Sequence, residues 1–473
     1  MKIKKQFSIA IVIIVLALSL TILAGCEALS DTRSVTGAVI NENGELVLKY
    51  SDGSEDNLGH IVGKDGAPGT DGKDGADGED GERGLPGRDG KDGADGKDGA
   101  NGEDGTTDIT ISINSNDTAI MAAVSRGLRN TVSIEAHHTK TEHNIYTGKY
   151  VDTDYAVEGS GVIYKLDDQT GSAYIITNHH VVYDKSSNAE GGISTDLKVY
   201  LYGSEYAEQS FPATYVGGSM TYDLAVLRVE NCEALKAEFP SACDMADSDA
   251  ISVGEAAIAI GNAEGISIAA TSGIISVDSE SITMNFADGS GTTDRRVIRI
   301  DTSVNHGNSG GPLFNGNGEL IGIVSAKIES DTVDSIGYAI PSNVARAVAD
   351  NIIDNCNGTT VRAVQRATIG ISIIPIDSRA EFDTVTGKTV KRESSQIYGV
   401  TAGSLADGIL RVGDILISAG VNGATKQITR NHHLIDTVLD LRDGDTLVLH
   451  VLRDGAEITV SIPISAANIT SVK

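Results

Sequence analysis

Glycine occupies every third position without a break from Gly63 to Gly105, fifteen residues in strict register. That period selects one geometry, three chains wound together in extended polyproline II form, because only glycine fits at their shared axis. Only two prolines, Pro68 and Pro86, fall within the run, so charged side chains must supply what imino acids usually give. Six Lys or Arg stand among thirteen Asp or Glu, so interchain pairs form against a net repulsion. The expectation is a marginal triple helix, or a disordered stalk in a lone chain. At about 3.1 Å per residue the stalk would reach on the order of 130 Å.

Upstream, Lys2, Lys4 and Lys5 precede an apolar run from Phe7 to Leu23, which has the charge and length of a secretion signal. It ends in Leu23-Ala24-Gly25-Cys26, which looks like a bacterial lipobox. The implied reading is a signal peptide over 1-25, lipid attachment at Cys26, and a chain held on the extracellular side of the cell membrane. A plain transmembrane anchor is the alternative, since the run is only marginally long enough to span. Residues 26-62 carry the turn signals Asn43-Gly44 and Asp52-Gly53 around an alternating run from Glu45 to Tyr50. A small β unit is expected there.

Chemistry is announced at Asn305-His306-Gly307-Asn308-Ser309-Gly310-Gly311-Pro312-Leu313. A serine hydroxyl attacks a peptide carbonyl only with a base at hand and N–H groups to hold the developing oxyanion. The glycines around Ser309 permit the backbone geometry that aims N–H groups at one point. A histidine pair, His179 and His180, follows the apolar run Tyr174-Ile175-Ile176-Thr177, and one of the two is expected to be the general base. Asp223 leads directly into Leu224-Ala225-Val226-Leu227, where a buried carboxylate needs a partner such as an imidazole N–H.

Residues from about 115 to 465 resemble the HtrA/Deg family of trypsin-like serine proteases that carry a PDZ domain. The resemblance rests on Thr177-Asn178-His179-His180-Val181-Val182, Asp223-Leu224-Ala225-Val226-Leu227, Ala259-Ile260-Gly261-Asn262 with Thr271-Ser272-Gly273-Ile274, and Gly307-Asn308-Ser309-Gly310-Gly311. It implies His180 as base, Asp223 as its orienting carboxylate, Ser309 as nucleophile, and an oxyanion hole formed by Gly307, Asn308 and Ser309. His179 stands where the family usually has asparagine, and His306 where it usually has proline. If the histidine pair continues the strand, His179 faces away from the serine, as a surface residue.

Short apolar runs at 130-136, 159-164, 172-177, 197-202, 222-229, 255-260, 272-277, 296-300 and 319-326 read as strands. The fold class is thus mainly β, and the resemblance implies a double β-barrel protease domain over 115-360, then a PDZ domain over 363-465, behind the collagen-like Gly-X-Y stalk over 63-105. Helices are expected from about Asp117 to Leu128, capped by Asn116 or Asp117, and from Pro341 to Asp354. The PDZ resemblance implies that peptide C-termini are captured at Thr368, Ile369, Gly370 and Ile371, with Leu434, Val438 and Leu439 lining the groove.

A net charge of -29 disfavours nucleic acid as a partner. Cys232 and Cys243 are close enough in sequence for a disulfide, which would leave Cys356 unpaired. His137, His138 and His143 read as solvated loop histidines, and the triad chemistry calls for no metal and no cofactor. The expectation is a lipid-anchored, trimeric serine endopeptidase hydrolysing unfolded or damaged exported proteins through an acyl-enzyme. The alternative is a collagen-stalked adhesin or peptide-binding scaffold with an inactive or latent protease domain. A small aliphatic residue before the cut is implied by the resemblance, and Lys327 and Glu329 near that pocket are not diagnostic.

Overall fold

The computed structural model describes residues 35–40, 45–50, 54–60, 115–204, 209–263, 265–327, 336–356 and 362–472. The secretion signal, Cys26, the glycine repeat and Glu329 lie outside the described residues. The chain divides into two units, 1–105 and 106–473. In the first, β1 (Val35–Ile40), β2 (Glu45–Tyr50) and β3 (Glu55–His60) form an antiparallel sheet in that order. The alternating run read from the sequence is its central strand.

The second unit opens with helix α1 (Ser115–Gly127), which starts just ahead of the expected cap positions. Six strands follow, β4 (Thr131–Asn144), β5 (Lys149–Asp167), β6 (Ser172–Thr177), β7 (Asp196–Leu201), β8 (Phe211–Ser219) and β9 (Leu224–Val229). They close into a barrel in the order β4-β5-β6-β9-β8-β7. A one-turn helix, α2 (His179–Val182), follows β6. A second barrel is built from β10 (Ala256–Ala263), β11 (Ser267–Asn285), β12 (Thr292–Ile300), β13 (Pro312–Phe314), β14 (Leu320–Lys327) and β15 (Gly337–Pro341), in the order β10-β11-β12-β15-β14-β13.

Each barrel closes on its own aliphatic interior. Val132, Ile134, Ile163, Ile175, Val199 and Leu227 fill the first, and Ile275, Ile298, Ile300, Leu313, Ile321 and Val324 the second. A third cluster, including Ile176, Ile258, Ile260, Phe314, Val348 and Ile352, joins them and takes in helix α3 (Ser342–Cys356). Val344, Ala347, Val348 and Ile352 recur at helical spacing, and all four are buried.

The C-terminal domain has its own core around Ile397, Leu416, Leu447, Leu449, Val451 and Ile462. A short strand β16 (Val364–Ala367) precedes β17 (Ile371–Asp383), β18 (Lys388–Val400), β19 (Ile415–Val421) and β20 (Ala424–Gln427). Helix α4 (His432–Leu439) then leads to β21 (Thr446–Arg453), β22 (Ala456–Pro463) and β23 (Ile469–Val472). The main sheet runs β17-β18-β19-β21-β22 with β20 paired to β19, while β16 pairs with β23. No helix among the described residues is long and apolar enough to cross a membrane.

Several sequence expectations need correction. His137, His138 and His143 lie on strand β4, not in a loop, because the β4–β5 ladder extends as a polar hairpin to the pair Asn144 and Lys149. His138 is buried and stacks on Tyr155 with ring centroids 5.6 Å apart. Cys232 and Cys243 are not joined by a disulfide, and the Cys356 thiol donates to Ala363 O at 3.5 Å. The Cys232 N–H donates to Gly171 O at the β5–β6 turn, whereas the Cys243 N–H donates to Ile163 O well inside the hairpin. Strands β8, β13 and β15 had no expected counterpart.

Phe314 has no exposed surface and packs where α1 ends against the second barrel. Phe314→Ala is therefore expected to lower unfolding stability by about 3–5 kcal/mol, read from the denaturant midpoint at unchanged m-value.

Candidate active site

Asp223 sits at the entry to β9 with φ 54°, the left-handed region that aspartate and asparagine enter more readily than other non-glycine residues. Its carbonyl accepts the His179 N–H at 3.1 Å and the Asn178 Nδ2–H at 2.8 Å. Arg295, from β12, donates to Met220 O at 2.8 Å and Thr221 O at 3.0 Å, fixing the approach to Asp223 from the other barrel.

The Asp223 carboxylate is the meeting point of both barrels. It takes the His180 backbone N–H at 3.2 Å and lies 2.9 and 3.0 Å from His180 Nδ1. Ser325 Oγ, from β14, donates to it at 2.8 Å, and the Arg295 guanidinium stands at 3.6 Å. Burial works against the charged carboxylate, but His180, Arg295 and Ser325 outweigh it and bring its pKa down to about 2. Burial likewise favours a neutral imidazole at His180, yet the Asp223 charge and hydrogen bond raise its pKa above the ordinary value, against a smaller opposing push from Arg295. His180 keeps 36% of its side chain exposed, so its outer edge faces the cleft.

Ser309 lies in the loop between β12 and β13. Its Oγ donates to Ser325 O at 3.4 Å and is not hydrogen-bonded to His180. Ser325 thus touches the serine through its carbonyl and the aspartate through its hydroxyl. Ser160, on β5, clamps this loop: its Oγ donates to Gly307 O at 2.6 Å and its N–H to Ser309 O at 2.8 Å. Gly310, at φ 83°, leaves no room for a side chain, since a Cβ there would stand 2.3 Å from both Ser160 O and Thr177 Oγ1. Among the described residues no acceptor takes the N–H of Gly307 or Ser309, whereas the Asn308 N–H is engaged by Asn305 O at 3.1 Å. His306 is exposed beside this loop.

His179 is buried, not a surface residue. The pair lies in the helical turn α2, so strand alternation does not apply to it. Its ring packs against Tyr183 and Tyr215, and a Cβ on Gly218 would come within 2.8 Å of it. Burial drives its pKa down to about 4, which keeps it neutral and unsuited to the base role near pH 7.

In the C-terminal domain, Thr368, Ile369, Gly370 and Ile371 border a groove of about 350 Å³ together with Leu434 and Val438. Leu439 does not join them, being buried between the domains. The Thr368 N–H is already taken by Asn468 O, while no acceptor among the described residues takes that of Ile369 or Gly370. Strand β17 is the edge of its sheet.

If His180 is the base, the acid limb of kcat/KM inflects above the ordinary imidazole value of about 6.5. Replacing Arg295 with Met removes a positive charge that favours neutral His180, so the inflection is expected at still higher pH. A pH–rate profile of both proteins on one peptide reads this directly, and an inflection that stays put or falls in Arg295→Met counts against it.

A trypsin-like peptidase domain model matches residues 159–323, and a collagen triple helix repeat model matches residues 53–108. Serine protease Do-like HtrA of Bacillus subtilis (strain 168) is 34% identical over 313 residues, covering 64% of this chain and 62% of that protein. Its counterpart in Lactococcus lactis subsp. lactis (strain IL1403) is 30% identical over 376 residues, covering 75% of this chain and 84% of that protein. Among solved structures, the HtrA-type protease AlgW with tripeptide is 25% identical with a TM-score of 0.46, over 75% of this chain and 98% of that one. By its sequence relationship to these HtrA proteases, 30% identity over three quarters of its length to the Lactococcus protein, the chain belongs to the HtrA family of trypsin-like serine proteases.

Proposed function

We propose that the chain is a lipid-anchored serine endopeptidase, acting outside the cell on unfolded or damaged exported proteins. The observation that carries the reading is the Asp223 carboxylate, bonded to His180 at both backbone and ring and joined through Ser325 to Ser309.

In this reading Ser309 turns its Oγ from Ser325 O toward His180 Nε2 when a peptide enters. His180 takes the hydroxyl proton as Oγ attacks the carbonyl carbon, and Asp223 stabilises the imidazolium. The N–H groups of Gly307 and Ser309, with Asn308 between them, hold the oxyanion. Collapse breaks the C–N bond, and His180 returns its proton to the departing amine. Water, deprotonated by the same imidazole, then hydrolyses the ester at Ser309.

The organisation proposed around this centre is a signal over 1-25, lipidation at Cys26, and a linker over 26-62. The glycine-repeat stalk over 63-105 follows, then a protease domain over 115-360 and a PDZ domain over 363-465. The repeat calls for three chains, which supports a homotrimer. The groove beside Thr368, Ile369, Gly370 and Ile371 suits a peptide C-terminus added as a strand at β17, with two N–H groups open to its carboxylate.

The test is cleavage of a casein-type unfolded substrate by the chain from residue 27 onward and by its Ser309→Ala version. Cleavage by the first, falling at least about 10⁴-fold in the second, is expected. If neither cuts, even with an added carboxyl-terminal peptide, the domain is a binding scaffold and the proposal fails.

A further inference from the structure

The seam between the second barrel and the C-terminal domain gathers groups that catalysis does not use. Asp249 lies in the segment leading to β10, and His432 and His433 open helix α4. One ligand atom from each of the three lies within 4.8 Å of the others. We propose that Asp249, His432 and His433 form a binding site for a divalent transition metal ion of the zinc class, which fastens the C-terminal domain to the barrel.

The spacing fits such an ion. His432 Nε2 stands 3.5 Å from Asp249 Oδ1. Two ligands each about 2.0–2.2 Å from a tetrahedral zinc ion are themselves roughly 3.3–3.6 Å apart. Both imidazoles are also held from behind, as metal-bound histidines usually are. His432 Nδ1 lies 3.4 Å from Ser279 Oγ, and His433 Nδ1 lies 3.2 Å from Gln427 O. Donation from Nδ1 to these oxygens leaves Nε2 with a lone pair for the metal. The Thr429 N–H, 3.3 Å from His433 Nδ1, competes for the other tautomer, which metal binding would exclude.

Arg296, Lys388, Lys391, Arg392 and Arg430 border the cavity beside these ligands, but each is paired with a carboxylate, so none closes the site. Arg296 donates to Asp249 Oδ1 at 2.6 Å and also pairs with Asp436 on α4, so its charge is shared between two carboxylates. Asp249 keeps further lone pairs for a metal. Two nitrogens and one carboxylate oxygen suit zinc, cobalt or nickel and not the all-oxygen preference of calcium or magnesium. A cavity of about 300 Å³ bordered by Asp249, Ser279, Arg296, His432 and His433 leaves room for water as a fourth ligand.

The placement gives the ion a mechanical role. Ion pairs already cross this seam, Arg430 to Asp278 at 2.8 Å and Lys388 to Glu255 at 2.6 Å. The helix that would carry two metal ligands also presents Leu434 and Val438 to the groove. A metal at its first turn would fix that helix against the barrel whose strand β14 carries Ser325.

The test uses the full chain, solubilised in detergent and stripped with a chelator, titrated with Co²⁺ and with Zn²⁺. One equivalent of tight binding per chain is expected, with Co²⁺ absorption bands of a tetrahedral or five-coordinate site. Binding should weaken at least about tenfold in His433→Gln and in Asp249→Asn. Folding of each variant is checked by its metal-free Tm. Without any variant, Zn²⁺ should protect His432 and His433 from diethyl pyrocarbonate, mapped by mass spectrometry. Absence of stoichiometric binding, binding untouched by both substitutions, or modification of both histidines unchanged by Zn²⁺ overturns the proposal.

Discussion

The carboxylate of Asp223 is the constraint around which the protease half is arranged. Only 6% of the residue is exposed, and a charge so placed costs several kcal/mol unless every lone pair finds a donor. The donors come from elements that share no sequence neighbourhood: His180 from the turn after β6, Ser325 from β14 and, at longer range, Arg295 from β12. Pairing that one group therefore requires both barrels to close and to meet in register. The cleft is a consequence of this requirement, and so is the raised basicity of the imidazole that faces it.

A second clamp holds the loop that carries Ser309. Ser160 binds Gly307 and Ser309 from the first barrel, Thr177 Oγ1 binds Ser160 O at 2.7 Å, and the Asn262 N–H donates back to Ser160 Oγ at 2.8 Å. These bonds pass through buried hydroxyls, where each is worth more than in water and each loss leaves an unpaired group. They fix the backbone around Ser309 while leaving its Oγ able to rotate. The Ser309 hydroxyl rests on Ser325 O, with no bond to His180.

The parts legible in the sequence were those whose chemistry is announced locally. Ser309 lies in a glycine-rich turn, Asp223 immediately before an apolar strand, and His180 before two valines. Ser325, Arg295 and Ser160 carried no such signal. Each is a single polar residue within a strand, and its bond reaches far along the chain, 102 residues from Ser325 to Asp223, 75 from Arg295 to Met220 and 147 from Ser160 to Gly307. The alternation rule failed at His179 because a helical turn replaces the strand after Thr177. At His138 it is the loop reading that fails, because the β4–β5 hairpin is polar in sequence there while its burial still alternates through Ala136 and His138 and its ladder runs on to Asn144 and Lys149. Strands β8 and β13 escaped notice for related reasons, the one interrupted by Pro212, Gly217 and Gly218, the other only three residues long.

The central claim is that Asp223 and His180 make Ser309 a nucleophile. Labelling with a fluorophosphonate, followed by peptide mapping, tests it most directly, because the reagent reacts preferentially with a serine oxygen activated in this way. The account predicts one modified residue, Ser309, at a rate that collapses in His180→Ala. A label placed elsewhere, no label with or without an added carboxyl-terminal peptide, or undiminished labelling in His180→Ala would contradict it.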